Sequence, residues 1–178
     1  MKISVLGAGG WGTTLGILLH YNGHQVTLWE YKKNYVKELI KKRINSIYLP
    51  GIQIPQEISI THDLKESVYQ KNLIVLAVPS QFLRSVIDEV SYADIKNSIL
   101  VSVAKGIENK HLMTMSQMLK DVHPHLNDDQ IGVLSGPSHA EEVANHTPTA
   151  VVAAGYDEKN TEIIQEAFSN KYFRVYKS

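Results

Sequence analysis

The segment GAGGWG, at residues 7–12, follows the short apolar run KISVL and precedes the apolar run TTLGILL. The first run predicts a strand that is buried on both faces, and the second predicts a helix. Glycines between such a strand and helix allow a tight turn, a close approach of a ligand to the main chain, and close packing of helix on strand. A plain structural turn is the alternative, because glycine-rich turns are common.

Strand-like and helix-like segments alternate along the rest of the chain. Strands are predicted at residues 2–7, 24–30, 58–61, 72–78, 98–104, 130–136, 149–155 and 172–177. Helices are predicted at residues 11–23, 33–43, 61–70, 80–90, 110–122, 137–146 and 158–169, with a loop at 44–57. This order predicts one α/β domain over residues 1–178, with a doubly wound, largely parallel sheet and helices on both faces. In such a sheet, ligands bind beyond the carboxyl ends of the strands, where the strand order reverses.

The composition narrows the classes of partner. The 178 residues include 18 Lys or Arg and 18 Asp or Glu, a balance that attracts neither nucleic acid nor an anionic membrane. The chain has no cysteine, which excludes disulfides and thiolate metal sites and fits a reducing, cytoplasmic location. The N-terminal run is too short for a signal peptide, and no apolar run approaches the roughly 18 residues that span a bilayer. No metal site is expected.

The glycine loop matches a dinucleotide-binding fingerprint of the Rossmann type. Gly7, Gly9 and Gly12 have the spacing G-x-G-x-x-G, and the start of the following helix favours a pyrophosphate. Glu30 ends the second predicted strand 18 residues after Gly12, close to the roughly 20 expected for the acid that binds the adenosine ribose. Its carboxylate would repel a 2′-phosphate, so NAD is the expected cofactor, although the lysines at 32 and 33 leave NADP open.

Residues after three further strands are candidates for the same site. Val78 and Pro79 would border the adenosine and ribose of the cofactor. Lys105, directly after the strand at 98–104, could hydrogen-bond a substrate oxygen or neutralise a phosphate. Gly136 and Ser138 precede a predicted helix, whose first N–H groups could hold hydroxyls or an anion. For each of these residues a purely structural role is the alternative.

Several stretches together resemble one family. GAGGWGTTLGILLHYNGHQVTLW, YLPGIQIP, VLAVPSQF, VSVAKGIE and LSGPSHAEEVANHTPTAVVAA are similar, in order, to the N-terminal domain of NAD(P)-dependent glycerol-3-phosphate dehydrogenase. The glycine loop alone fits many dehydrogenases, whereas the combination of LPG, AKGIE and SGPS-A-E with PTA is far more specific.

The resemblance implies an oxidoreductase that reversibly reduces dihydroxyacetone phosphate to sn-glycerol 3-phosphate, for phospholipid synthesis. It implies that Gly136 and Ser138 bind the substrate and that Lys105 lies between substrate and cofactor. The resemblance also implies cofactor contacts at Gly10, Trp11, Tyr31, Lys32, Tyr48 and Ala140. Trp11 has an alternative role as a hydrophobic plug at the helix start.

The family is longer than this chain. Its helical C-terminal domain carries the lysine that transfers the proton and the Asn and Arg residues that grip the substrate phosphate. Because the chain stops at Ser178, the expectation is a fragment that binds the dinucleotide without useful turnover. The resemblance leaves a homodimer open for the full-length enzyme. The alternatives are a two-domain dehydrogenase of the 6-phosphogluconate or hydroxyisobutyrate type and a stand-alone module that senses NADH.

Overall fold

The computed structural model describes every residue from Met1 to Ser178, and strands alternate with helices along the chain. The strands are β1 (Lys2–Leu6), β2 (Gln25–Trp29), β3 (Ile44–Asn45), β4 (Leu49–Gln53), β5 (Ser59–Thr61), β6 (Leu73–Leu76), β7 (Ile99–Ser102), β8 (Ile131–Ser135), β9 (Thr149–Gly155) and β10 (Phe173–Lys177). The helices are α1 (Gly10–Tyr21), α2 (Lys33–Lys42), α3 (Leu64–Val68), α4 (Ser80–Asp88), α5 (Tyr92–Ile95), α6 (Met115–Val122), α7 (Ala140–Ala144) and α8 (Glu158–Phe168). A 3₁₀ turn covers Asp128–Gln130.

Eight strands form one sheet in the order β10-β9-β8-β7-β6-β1-β2-β5. Every neighbouring pair is parallel except β8 and β9. The chain builds outward from β1 through β2 to β5, and then returns to place β6 on the other side of β1. The order of the strands therefore reverses between β1 and β6, beside the glycine loop. This architecture confirms the predicted doubly wound α/β fold.

Two apolar layers cover the two faces of the sheet. In β6, Leu73 and Val75 belong to an apolar cluster that includes residues of α1, α2 and α8, while Ile74 and Leu76 belong to a second cluster with residues of α3, α4, α5 and α6. All four side chains are fully buried. Burial of each such side chain stabilises the fold by roughly 1.5–3 kcal/mol. The unbroken apolar run in the sequence thus reflects a strand with core on both faces.

The structure corrects the sequence prediction at two connections. The predicted loop at 44–57 contains an antiparallel hairpin of β3 and β4. The helix predicted at 110–122 begins only at Met115, because the Glu108 N–H donates to the Met113 carbonyl oxygen at 2.8 Å and holds the preceding residues in a loop. Thr114 caps this helix in a capping box with Gln117, a T-x-x-Q signal that was present in the sequence.

Several smaller differences concern element length. The helix predicted at 137–146 covers only Ala140–Ala144, and the buried strands β6 and β7 are shorter than predicted at each end. Helix α5 and the 3₁₀ turn were not predicted, since both are too short to show a periodic pattern. None of the helices has the length and apolar character that a bilayer-spanning segment requires.

Candidate functional site

The glycine loop brings β1, α1 and the end of β6 into direct contact. Gly7 has a φ of +109°, and a Cβ there would lie 3.0 Å from the backbone of Ala77. A Cβ on Gly12 would lie 1.9 Å from the carbonyl oxygen of Gly7, so α1 can pack this closely on β1 only without a side chain. Val78 is buried beside the same turn, and its backbone nitrogen would lie 3.0 Å from a Cβ on Gly7.

The start of α1 is open to a ligand. Gly9 is the N-cap residue, and a Cβ there would meet nothing within 4 Å. No side chain caps the first turn, and no acidic residue lies in it. The first N–H groups of a helix lack intrahelical partners and carry a partial positive charge. This end of α1 therefore favours an anionic group.

Gly10 is the point where the loop, the hairpin and α7 meet. A Cβ on Gly10 would lie 2.6 Å from the carbonyl oxygen of Tyr48 and 3.5 Å from the Cβ of Ala140. The hydroxyl of Thr14, one turn along α1, donates to the Ala140 carbonyl oxygen at 3.1 Å. Three of the predicted cofactor residues, distant in sequence, are thus in contact.

Glu30 lies directly after β2 and is only 7% exposed. Its Oε1 accepts the N–H of Lys32 at 3.0 Å, which fixes the carboxylate at the strand end. The amine of Lys32 lies 5.2 Å from the ring centre of the exposed Tyr31. A hydrogen bond to Tyr31 and the nearby Tyr48 and Glu30 raise the pKa of Lys32, so that it remains a cation. Lys32 and Tyr48 also line one shallow surface depression.

A second group of predicted residues lines a narrow cleft at the ends of β7 and β8. Trp11, Lys105, Gly136 and Ser138 share this cleft. The Lys105 amine donates to the Ser138 carbonyl oxygen at 3.2 Å, and Ser138 is buried. The Trp11 ring packs at a tilt against Phe173, with 6.4 Å between ring centres. Trp11 therefore both packs on β10 and faces the cleft.

The residues after β2 and the residues that line the narrow cleft lie on opposite sides of the glycine loop. The sheet order places β2, with Glu30 to Lys32, on one side of β1, and β7 and β8, with Lys105 to Ser138, on the other. Pro79, which is exposed, precedes α4 at the end of β6 between them. The predicted residues thus form a line along the carboxyl edge of the parallel strands. No three His, Asp or Glu side chains are grouped so that they could hold a metal ion.

Asn45 connects the elements around the candidate site, a role that the sequence analysis missed. It is fully buried, and its Nδ2 donates to the Ala8 carbonyl oxygen and to the Thr13 hydroxyl, each at 2.8 Å. Its Oδ1 accepts from the Tyr35 hydroxyl and from the Tyr48 N–H. One amide therefore ties the hairpin to the glycine loop and to α2. A single Asn in an unpatterned segment carries no signal for this role.

Comparison with known proteins matches the chain to one family. Residues 2–161 match the family model described as the NAD-dependent glycerol-3-phosphate dehydrogenase N-terminus. A glycerol-3-phosphate dehydrogenase (NAD(P)+) of Thermoanaerobacter sp. (strain X514) is 48% identical over 176 residues, which are 99% of this chain and 52% of that protein. The protein of the same name from Syntrophotalea carbinolica is 46% identical over 178 residues, 100% of this chain and 54% of that protein.

A solved structure supports the same family match. The crystal structure of glycerol-3-phosphate dehydrogenase from Coxiella burnetii superposes with a TM-score of 0.92 at 31% sequence identity, over 99% of this chain and 53% of that chain. The chain spans about half the length of the curated relatives that it matches.

The contact at Gly12 predicts a sharp effect of one methyl group. Gly12→Ala would place Cβ against the Gly7 carbonyl oxygen, and such overpacking costs about 1–3 kcal/mol in the free energy of unfolding, measured by urea denaturation. Gly16→Ala is the matched control on the same helix, because its Cβ would lie 3.7 Å from Val26. An alanine there is expected to stabilise α1 by roughly 0.5–1 kcal/mol. Equal effects of the two substitutions would contradict the packing argument.

Asn45→Ala is expected to destabilise the chain strongly. It leaves the Ala8 carbonyl, the Tyr35 hydroxyl and the Tyr48 N–H without this partner, and each buried unsatisfied group costs about 1–3 kcal/mol. The exposed Asn97 supplies the control, since Asn97→Ala should change the free energy of unfolding by less than about 0.5 kcal/mol. Urea denaturation of both variants measures the difference. A loss for Asn45→Ala no larger than that of the control would show that the amide is dispensable.

Proposed function

This chain belongs to the NAD-dependent glycerol-3-phosphate dehydrogenase family, whose N-terminal domain it matches, and we propose that it forms the nucleotide-binding half of such an enzyme. Membership confirms the resemblance drawn from the sequence motifs and favours it over the two other dehydrogenase types. The reaction proposed is the reversible reduction of dihydroxyacetone phosphate to sn-glycerol 3-phosphate with NAD(H), with NADP(H) left open. One observation carries the proposal: the cleft that joins Trp11 of the glycine loop to Lys105, Gly136 and Ser138.

The residues present fit a dinucleotide. The open N-cap at Gly9 offers backbone N–H groups and a helix dipole to the pyrophosphate. Glu30, whose carboxylate accepts the Lys32 N–H, offers that carboxylate to the ribose hydroxyls. It follows Gly12 by 18 residues, close to the sequence separation expected for this role. Tyr48 and Ala140 border the loop at Gly10, where the main chain of the hairpin approaches it. When bound, the cofactor supplies the hydride that carbonyl reduction requires.

Lys105 is the residue of this chain that is best placed to assist the chemistry. Reduction of a carbonyl group builds negative charge on its oxygen, and a positioned cation stabilises that charge. The Lys105 amine lies beside Ser138 at the end of β7, in the cleft that Trp11 also lines. We therefore assign Lys105 to the substrate oxygen, and Gly136 and Ser138 to orientation of the substrate.

The chain by itself is proposed to bind the dinucleotide without useful turnover. The proposal is supported by the resemblance, which implies that the proton-transferring lysine and the phosphate-gripping residues belong to the family's C-terminal domain. The product would serve phospholipid synthesis, as in the family. A cytoplasmic location and a homodimer of the full-length enzyme stay predictions.

Cofactor choice gives the first test. Because the Glu30 carboxylate would repel a 2′-phosphate, the chain should bind NADH at least about ten-fold more tightly than NADPH, which corresponds to 1.4 kcal/mol. Isothermal titration calorimetry measures both affinities. Glu30→Gln keeps an oxygen for the Lys32 N–H but removes the charge. It should therefore reduce the ratio of the Kd for NADPH to the Kd for NADH. Glu166→Gln, on an exposed position of α8, is the control and should leave the ratio of the two affinities unchanged. Equal affinities of the wild-type chain for both cofactors would remove Glu30 from this role.

Turnover gives the second test. The 178-residue chain with NADH and dihydroxyacetone phosphate should show no loss of absorbance at the nicotinamide band. The chain joined to the second half of the Thermoanaerobacter relative should turn over, and Lys105→Ala should reduce that rate by roughly 10²-fold or more, as for other removed charge-stabilising donors. Lys110→Ala, an exposed lysine close by, should not. An unchanged rate for Lys105→Ala would exclude Lys105 from the site.

A further inference from the structure

The residues that follow Lys105 are attached to α4 rather than to the sheet. The Gln81 side chain donates from Nε2 to the Ile107 carbonyl oxygen at 2.7 Å and accepts the Asn109 N–H at its Oε1 at 3.0 Å. A single amide therefore pairs with two backbone groups, as a neighbouring strand would. Both groups belong to the loop that begins at Lys105.

Arg84, one turn along α4, holds the residue between these two. Its Nε and Nη2 donate to the two carboxylate oxygens of Glu108 at 2.6 and 3.0 Å, and its Nη1 donates to Asp121 of α6 at 2.6 Å. His111 lies 3.0 Å from the same carboxylate of Glu108, which is only 4% exposed. Arg84 lowers the pKa of Glu108 to about 2, so the pair is ionised at neutral pH. A two-pronged Arg–carboxylate pair fixes orientation as well as distance.

These contacts bear on where the Lys105 amine can lie. A lysine head group sits on a flexible four-carbon stem, so its place depends on how firmly its backbone is held. Gly106, with a φ of +87°, is the single residue between Lys105 and the anchored residues 107–109. Neither Gln81, Arg84 nor Glu108 lines the cleft that contains Lys105. The segment that they hold is therefore their link to a reaction in that cleft.

We propose that Gln81 and Arg84 are positioning residues for Lys105: they anchor residues 107–109 to α4 and thereby keep the lysine amine beside Ser138, at the substrate cleft. This assignment rests on the proposed function, since Lys105 meets a substrate only there. It adds to the site two residues of α4 that lie outside the cleft lined by Lys105.

The test is a double-mutant cycle in the chain joined to the second half of the Thermoanaerobacter relative. Gln81→Ala keeps a strong helix former on an exposed face of α4 and removes both backbone contacts. It should lower kcat/KM for dihydroxyacetone phosphate by roughly ten-fold or more, because small misplacements of a positioned group are costly. The Kd for NADH should stay within about two-fold, and in a Lys105→Ala background Gln81→Ala should cause no further loss.

Two further variants serve as a control and as an independent test of the anchoring. Asn160→Ala, on α8, removes one side-chain bond to the Asp129 carbonyl oxygen at the amino end of β8, the end opposite the cleft, and should leave kcat/KM unchanged. The joint substitution Arg84→Met with Glu108→Leu removes the buried carboxylate together with its partly buried partner, so that this carboxylate is not left unpaired, and should behave as Gln81→Ala does. An equal loss from Gln81→Ala in both backgrounds, or a parallel loss of NADH affinity, would overturn the proposal in favour of a general structural role.

Failure of the proposed function would be visible separately, as an inactive joined protein without substitutions. In that case hydrogen exchange of the 178-residue chain still decides the anchoring. The amides of Asn109, which donates to Gln81, and of Glu108, which donates to the Met113 carbonyl oxygen, should exchange at least about ten-fold faster in Gln81→Ala and at the wild-type rate in Asn160→Ala. Unchanged exchange at these amides in Gln81→Ala would overturn the proposal.

Discussion

The close contact between Gly12 and Gly7 is the constraint on which the rest of the site depends. A Cβ on Gly12 would lie 1.9 Å from the Gly7 carbonyl oxygen, so this approach of α1 to β1 exists only for glycine. The contact sets where α1 begins, and with it the direction of the helix dipole and the open space at Gly9. The sheet reverses its strand order at the same place, between β1 and β6. The anion-binding end of α1 therefore lies where an open α/β sheet offers its crevice.

Buried polar contacts then fix the loops around this crevice. Asn45 uses both ends of its amide to hold the hairpin against the glycine loop. On the side of β7 and β8, the ion pair of Arg84 and Glu108 has the same role, because it holds the segment after Lys105 against α4. Such groups specify one arrangement, because a displaced partner would leave a buried polar group or charge unsatisfied. Both sides of the site are thus placed by side chains that need not touch a ligand.

The sequence predicted the strands and the residues at their carboxyl ends well, for physical reasons. Strand β6 reads as an unbroken apolar run because core covers both of its faces. The prediction was wrong where local tertiary contacts outweigh periodicity, as at residues 110–114, where the bridge between Glu108 and Met113 replaces the first helical turn. The hairpin of β3 and β4 was missed because prolines and a glycine in that segment equally predict a loop.

The sequence by itself determined the glycine loop, the acid at Glu30 and the positions of Lys105 and Gly136 after their strands, because each depends on spacing within one local unit. Only the tertiary structure decided that Lys105 lies at Ser138, that Gly10 lies against Tyr48 and that Arg84 pairs with Glu108. These partners are 24 to 38 residues apart, and they meet only once the sheet has set the neighbours of each strand end. Their pairing depends on the order of the strands, which no local pattern encodes.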